Sequence, residues 1–133
     1  MRGLAMLACA ALLVTAGCAT VDSVKEARGQ GIKRTYRQPY ELVYQAALKA
    51  ASGRKLQFVE QDAAAGRLVL SHGATWGSLG ERIAVFVTRL GERSTSVEIV
   101  ARAVFTPLNF PPDWPALLFG DIEAELAAAP KAR

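Results

Sequence analysis

Too few thiols and imidazoles are present to build the usual staples of a small domain. The two cysteines are Cys9, inside an apolar N-terminal stretch, and Cys18, just after it, so no pair is left to cross-link a folded domain. His72 is the single histidine, which excludes the zinc sets that need two histidines or a cysteine–histidine cluster within one chain. Neither a metal nor a cofactor is therefore expected. Long apolar runs are also lacking. The longest, Leu4–Val14, falls well short of the roughly 20 residues that span a bilayer. Glycines 73, 77 and 80 do not have the spacing or the lysine of a phosphate-binding loop.

What is present begins with charge. The formal net charge is +4, and the cations crowd one stretch: Lys25, Arg28, Lys33, Arg34, Arg37, Lys49, Arg54 and Lys55 face only Glu26 and Glu41 between residues 25 and 55. Such a basic half favours anionic lipid head groups or acidic wall polymers if it lies beside a membrane, and otherwise serves as a solvated surface. Met1-Arg2 followed by the uncharged Leu4–Val14 has the layout of a signal peptide. Thr15-Ala16-Gly17-Cys18 resembles the bacterial lipobox, with small residues before the cysteine and Thr15 where leucine is commonest.

The resemblance implies cleavage between Gly17 and Cys18, with acyl chains on the Cys18 thiol and on the new N-terminus. One buried methylene adds about 0.8 kcal/mol to anchoring, so several chains attach a protein durably. Ala19 in place of aspartate implies sorting to the outer membrane, facing the periplasm. An exported protein of this kind does not meet nucleic acid. Residues 18–31, polar and small and ending in Gly29-Gln30-Gly31, are expected to form a flexible tether, with scope for a short helix over Asp22–Ala27. Fully extended, a dozen residues reach about 40 Å.

Residues 32–129 are expected to form a single α+β domain. Ile32–Gln38 reads as a strand that Pro39 stops, and Tyr40–Ser52 carries apolar residues at helical spacing before Gly53. Strands follow over Lys55–Glu60, Arg67–Ser71, Arg82–Leu90 and Thr95–Phe105, with Asp62–Gly66 and Gly91–Ser94 as turns. The near-continuous apolar run in 82–90 suits a central strand or one buried on both faces. Asp113 is placed to cap a last helix in which Trp114, Leu118, Ile122 and Leu126 repeat every four residues. The order β-α-β-β-β-β-α, with hairpin-length turns, predicts a mostly antiparallel sheet of four to five strands with two helices on one face. The turn through Arg37 and Pro39-Tyr40 into an alanine-bearing helix, and the pairing of residues 85–87 with 97–101, resemble helix-grip domains of outer-membrane assembly accessory lipoproteins. No site residue carries over from that likeness.

The polar residues offer no catalytic set. Ser71 and His72 are neighbours on a strand and point to opposite faces, so they form no dyad. Glu60 with Asp62, and Asp121 with Glu125, share faces but are expected in solvent, without the burial that tunes an acid/base pair. The candidate binding residues are therefore His72 and Trp76, in and beside the glycine-rich loop, and Phe110 in the proline-rich segment 107–112. Trp76 lines a groove or folds back as a lid on the core, with the lid favoured, and Trp114 is assigned to the core. The function expected is a membrane-anchored, non-enzymatic module that binds an envelope protein, of unspecified oligomeric state. The alternative is a small-ligand or lipid binder using the concavity between sheet and helix.

Overall fold

The structure is a computed structural model that describes residues 19–105 and 110–130. The elements run α1 (Val21–Glu26), β1 (Ile32–Tyr36), α2 (Tyr40–Ser52), β2 (Gln57–Asp62), β3 (Arg67–His72), β4 (Glu81–Gly91), β5 (Ser94–Ala103) and α3 (Trp114–Ala128). The five strands form one antiparallel sheet in the order β1-β5-β4-β3-β2. The expected α+β class is thus the observed one. Its longest strand, β4, lies in the middle.

Alternation fixes the two faces. Leu68 and Leu70, Ile83, Val85 and Val87, and Val97 and Ile99 point to one side and meet α2 and α3. From α3 come Trp114, Leu118, Ile122 and Leu126, the stripe of period four, with Phe119 beside them. Asp113 caps that helix by accepting from the Ala116 amide at 3.1 Å. Arg54 clamps it with a two-pronged pair to Asp121, at 2.6 and 3.0 Å. From β1, Arg34 reaches Glu123 at 2.6 Å while its guanidinium lies over the Phe119 ring. The Arg34 hydrogen bond holds the Glu123 carboxyl below its usual range.

The hairpin turns behave as glycine and aspartate dictate. Asp62 Oδ1 accepts from the Ala65 amide, and Gly66 takes φ +68° so that its carbonyl can accept from Val87 N at 2.7 Å. A Cβ on Gly66 would stand 2.0 Å from the Val87 carbonyl oxygen.

The far face of the sheet departs from expectation. Residues 19–31 are not a free tether. Thr20 and Ser23 form a reciprocal capping box, and α1 lies on the sheet with Val24 fully buried against Val69, Ala84, Phe86 and Val100. Lys25 pairs with Glu60 at 2.9 Å, and Arg28 donates to Thr88 Oγ1 at 2.8 Å with its guanidinium over Phe86. Glu98, on this same face, is buried. Its Oε1 accepts from the amides of Gly29 and Gly31, at 2.6 and 2.9 Å. The physical reason is that β3, β4 and β5 also carry apolar residues outward, and these need a cover that the N-terminal segment supplies. Only Ala19 stands between Cys18 and the Thr20 cap, and Ala19 is itself buried. Residues 1–18, including Gly17 and Cys18, lie outside the described residues, as do 106–109, which take in the first part of the proline-rich segment, and 131–133. No helix among the described residues is long and apolar enough to cross a membrane.

Candidate functional site

One end of the sheet collects the residues singled out by sequence. β3 ends at His72 and β4 begins at Glu81, and the ladder pairs these two across the strands. Both point to the core face, one step beyond Leu70 and Ile83. His72 Nδ1 and Glu81 Oε2 are 2.6 Å apart, and the imidazole tilts against the Trp114 ring with centroids 4.8 Å apart. Glu81 is only 1% exposed. Its other oxygen accepts from the Ser78 hydroxyl, which in turn accepts from the Gly80 amide at 3.0 Å. Burying a carboxyl is costly unless each oxygen is partnered, and here both are. The indole Nε1 of Trp114 is buried without a partner among the described residues.

This cluster organises the loop between β3 and β4. Thr75 and Ser78 bridge one another through their backbones, leaving Trp76 and Gly77 at the tip of a tight turn. Gly80 has φ +107°, and a Cβ there would meet the His72 carbonyl at 2.8 Å. Two further bonds lace the loop to the β5–α3 connection: Val104 N to Gly80 O and Phe110 N to Gly77 O, each 2.8 Å. These bonds tie Val104 and Phe110 to the β3–β4 loop, which forms a platform. Trp76 stands fully exposed on it, and Leu79 and Phe110 are also turned to solvent.

The structure thus brings His72, Trp76 and Phe110 to one end of the sheet but separates their roles. His72 turns inward and braces the loops from beneath. Trp76 and Phe110 turn outward on adjoining loops, so the lid expected of Trp76 is not seen. Trp114 fills the core position assigned to it. Sequence reasoning missed Glu81. The signal was its place two residues before Ile83, which alternation puts on the buried face opposite His72.

Chemically, the cluster positions side chains more than it offers them. In a nucleophile–base pair the hydroxyl donates to the imidazole. Here the Ser78 hydroxyl donates to Glu81. The space between sheet and helices is packed by Leu68, Leu70, Ile83, Leu118, Phe119 and Ile122. Glu60 serves Lys25 and Arg67, and Asp121 serves Arg54, so the carboxylate pairs weighed from sequence are committed to ion pairs. No grouping of three metal-ligating side chains occurs among the described residues.

No family model matches the chain, and no curated protein does. Among solved structures 27 chains match. One is the di-domain ARO/CYC BexL from the BE-7585A biosynthetic pathway, at 17% identity and a TM-score of 0.46, covering 73% of this chain and 43% of that one. This chain therefore spans less than half of that protein's length. Another is TTHA0849 from Thermus thermophilus, at 12% identity and a TM-score of 0.37, covering 73% of this chain and 95% of that one.

Proposed function

We propose that this chain is a lipid-anchored, non-enzymatic binding module of the bacterial envelope. In this reading it is attached through Cys18 to the periplasmic side of the outer membrane. It holds an envelope protein through the Trp76–Leu79 loop and Phe110. The observation that carries the reading is the platform itself: Trp76 and Leu79 exposed on the β3–β4 loop, with Phe110 exposed beside them and its amide bonded to Gly77 O. Burying each such side chain on a partner is worth about 1.5–3 kcal/mol, and tryptophans held in place before binding make effective anchors. The packed interface between sheet and helices weighs against the small-ligand alternative, because a ligand there would have to displace core side chains.

A photoreactive phenylalanine analogue placed at Trp76, in the membrane-bound protein, tests the surface. The expected result is a discrete protein adduct that disappears when Leu79 and Phe110 are both changed to serine. A control at Glu92, in the exposed β4–β5 turn, should give none. Equal adducts from both positions, or an adduct indifferent to the two serines, would contradict the surface.

A further inference from the structure

We infer that the outer face of the sheet, beside the docked N-terminal segment, carries a binding site for a phosphate group. Strand pairing builds it. Lys33 stands opposite Glu98 in the ladder, and one step along Thr35, Ser96 and Thr88 stand in line across β1, β5 and β4. The docked segment adds Arg28, fixed by its bond to Thr88 and its stacking on Phe86. These side chains border an open cleft of about 400 Å³.

Two features match an oxyanion and one opposes it. Arg28 and Lys33 supply two exposed cations, and Lys33 has no carboxylate partner among the described residues. Glu98 opposes the anion as the one carboxylate among the described residues of the cleft wall; the Gly29 and Gly31 amides bond its Oε1, and its Oε2 has no partner among the described residues. The hydroxyls of Thr35 and Ser96 have no hydrogen-bond partner among the described residues, although Ser96 is only 7% exposed. Both hydroxyls border the cleft and are free to donate into it. Cations flanked by hydroxyl donors suit the several acceptor oxygens of a phosphate. The site uses part of the basic stretch that the proposed protein-binding platform leaves unused.

Binding does not depend on a lipid at Cys18, but the source of the phosphate can. Ala19 is buried on the domain, so an anchored Cys18 would hold this face close to the membrane and within reach of phospholipid head groups. A soluble phosphate is the other source.

The full chain, labelled with ¹⁵N, is titrated in non-ionic detergent with inorganic phosphate and, separately, reconstituted by detergent removal into vesicles of phosphatidylcholine alone or with phosphatidylglycerol. Saturable amide shifts centred on Lys33, Thr35 and Ser96 with inorganic phosphate assign a soluble source. A response only to phosphatidylglycerol vesicles assigns the head group. In either arm K33Q should weaken binding roughly five- to tenfold, the loss of one partly solvated charge-assisted bond, while K55Q leaves it unchanged. Lys33 is exposed and has no ion-pair partner among the described residues, so K33Q should fold, and the amide spectrum reports whether it does. No response in either arm, or equal weakening by K33Q and K55Q, overturns the site in favour of diffuse charge attraction.

Discussion

Replacing Val24 by alanine should loosen the N-terminal segment from the sheet without unfolding the rest. Val24 is fully buried and meets Val69, Ala84, Phe86 and Val100. Two methyl groups are removed, at about 0.8 kcal/mol each, so docking weakens by about 1.6 kcal/mol. A void that α1 cannot close adds to that. Since α1 is short, the loss should appear as local opening rather than as global unfolding. Hydrogen exchange at Gly29 and Gly31 reads it directly, because both amides are bonded to Glu98 only while the segment is docked. Every 1.4 kcal/mol is a factor of ten, so their protection should fall about fifteenfold. Amides in β4, held between β3 and β5, should change far less. If V24A left Gly29 and Gly31 as protected as before, or if they were unprotected in the unmodified chain, the docked segment would be refuted and a free tether restored.

Three other expectations follow from the same packing. Glu81→Ala leaves His72 and the Ser78 hydroxyl without their acceptor in a largely buried site; urea unfolding should show a loss of about 1–3 kcal/mol, and a loss under about 0.5 kcal/mol would mean that the cluster does not support the loops. Gly66→Ala forces a side chain onto the Val87 carbonyl from a backbone region that only glycine favours; a loss of at least about 1–3 kcal/mol is expected, and a wild-type melting temperature would show that the turn relaxes freely. The Glu60 carboxyl is held below its usual range, first by Lys25 and then by Arg67. A depressed carboxyl stabilises above its unfolded pKa, about 4.3, and that contribution is lost as pH falls through the lower folded value. Acidification through that window should therefore lower the protection factors of Gly29 and Gly31, taken relative to the intrinsic exchange rate at each pH, and E60Q should flatten the Glu60 share of the dependence; a pH response identical in E60Q would assign it elsewhere.

The parts of the fold that sequence made legible are those with long, regular signals. The apolar run in β4 marked a strand covered on both sides, and the period-four stripe from Trp114 to Leu126 marked α3 and its buried face. α1 was harder to place, because a helix of six residues offers a single apolar turn, Val21 and Val24, within polar sequence. The better clue lay on the sheet. Val69, Ala84, Phe86 and Val100 all point outward, and a half-exposed sheet would not keep such a strip bare. The candidate site was legible by residue type and less so by direction. A histidine at a strand end reads the same whether it faces solvent or a buried glutamate, and the difference is made by Glu81 across the ladder. Trp76 faces solvent because the Thr75–Ser78 bridge closes beneath it, a turn that no hydrophobic pattern announces.

The central claim is that Cys18 carries the anchor while the domain behind it serves as a binding platform. It meets its most direct test in the mass of the N-terminal peptide, taken from the chain expressed in a bacterium and extracted from the membrane fraction. The account predicts a peptide that begins at Cys18 and carries a diacylglyceryl group and an N-linked acyl chain. A peptide beginning at Ala19, or one that keeps an unmodified Cys18, would contradict it.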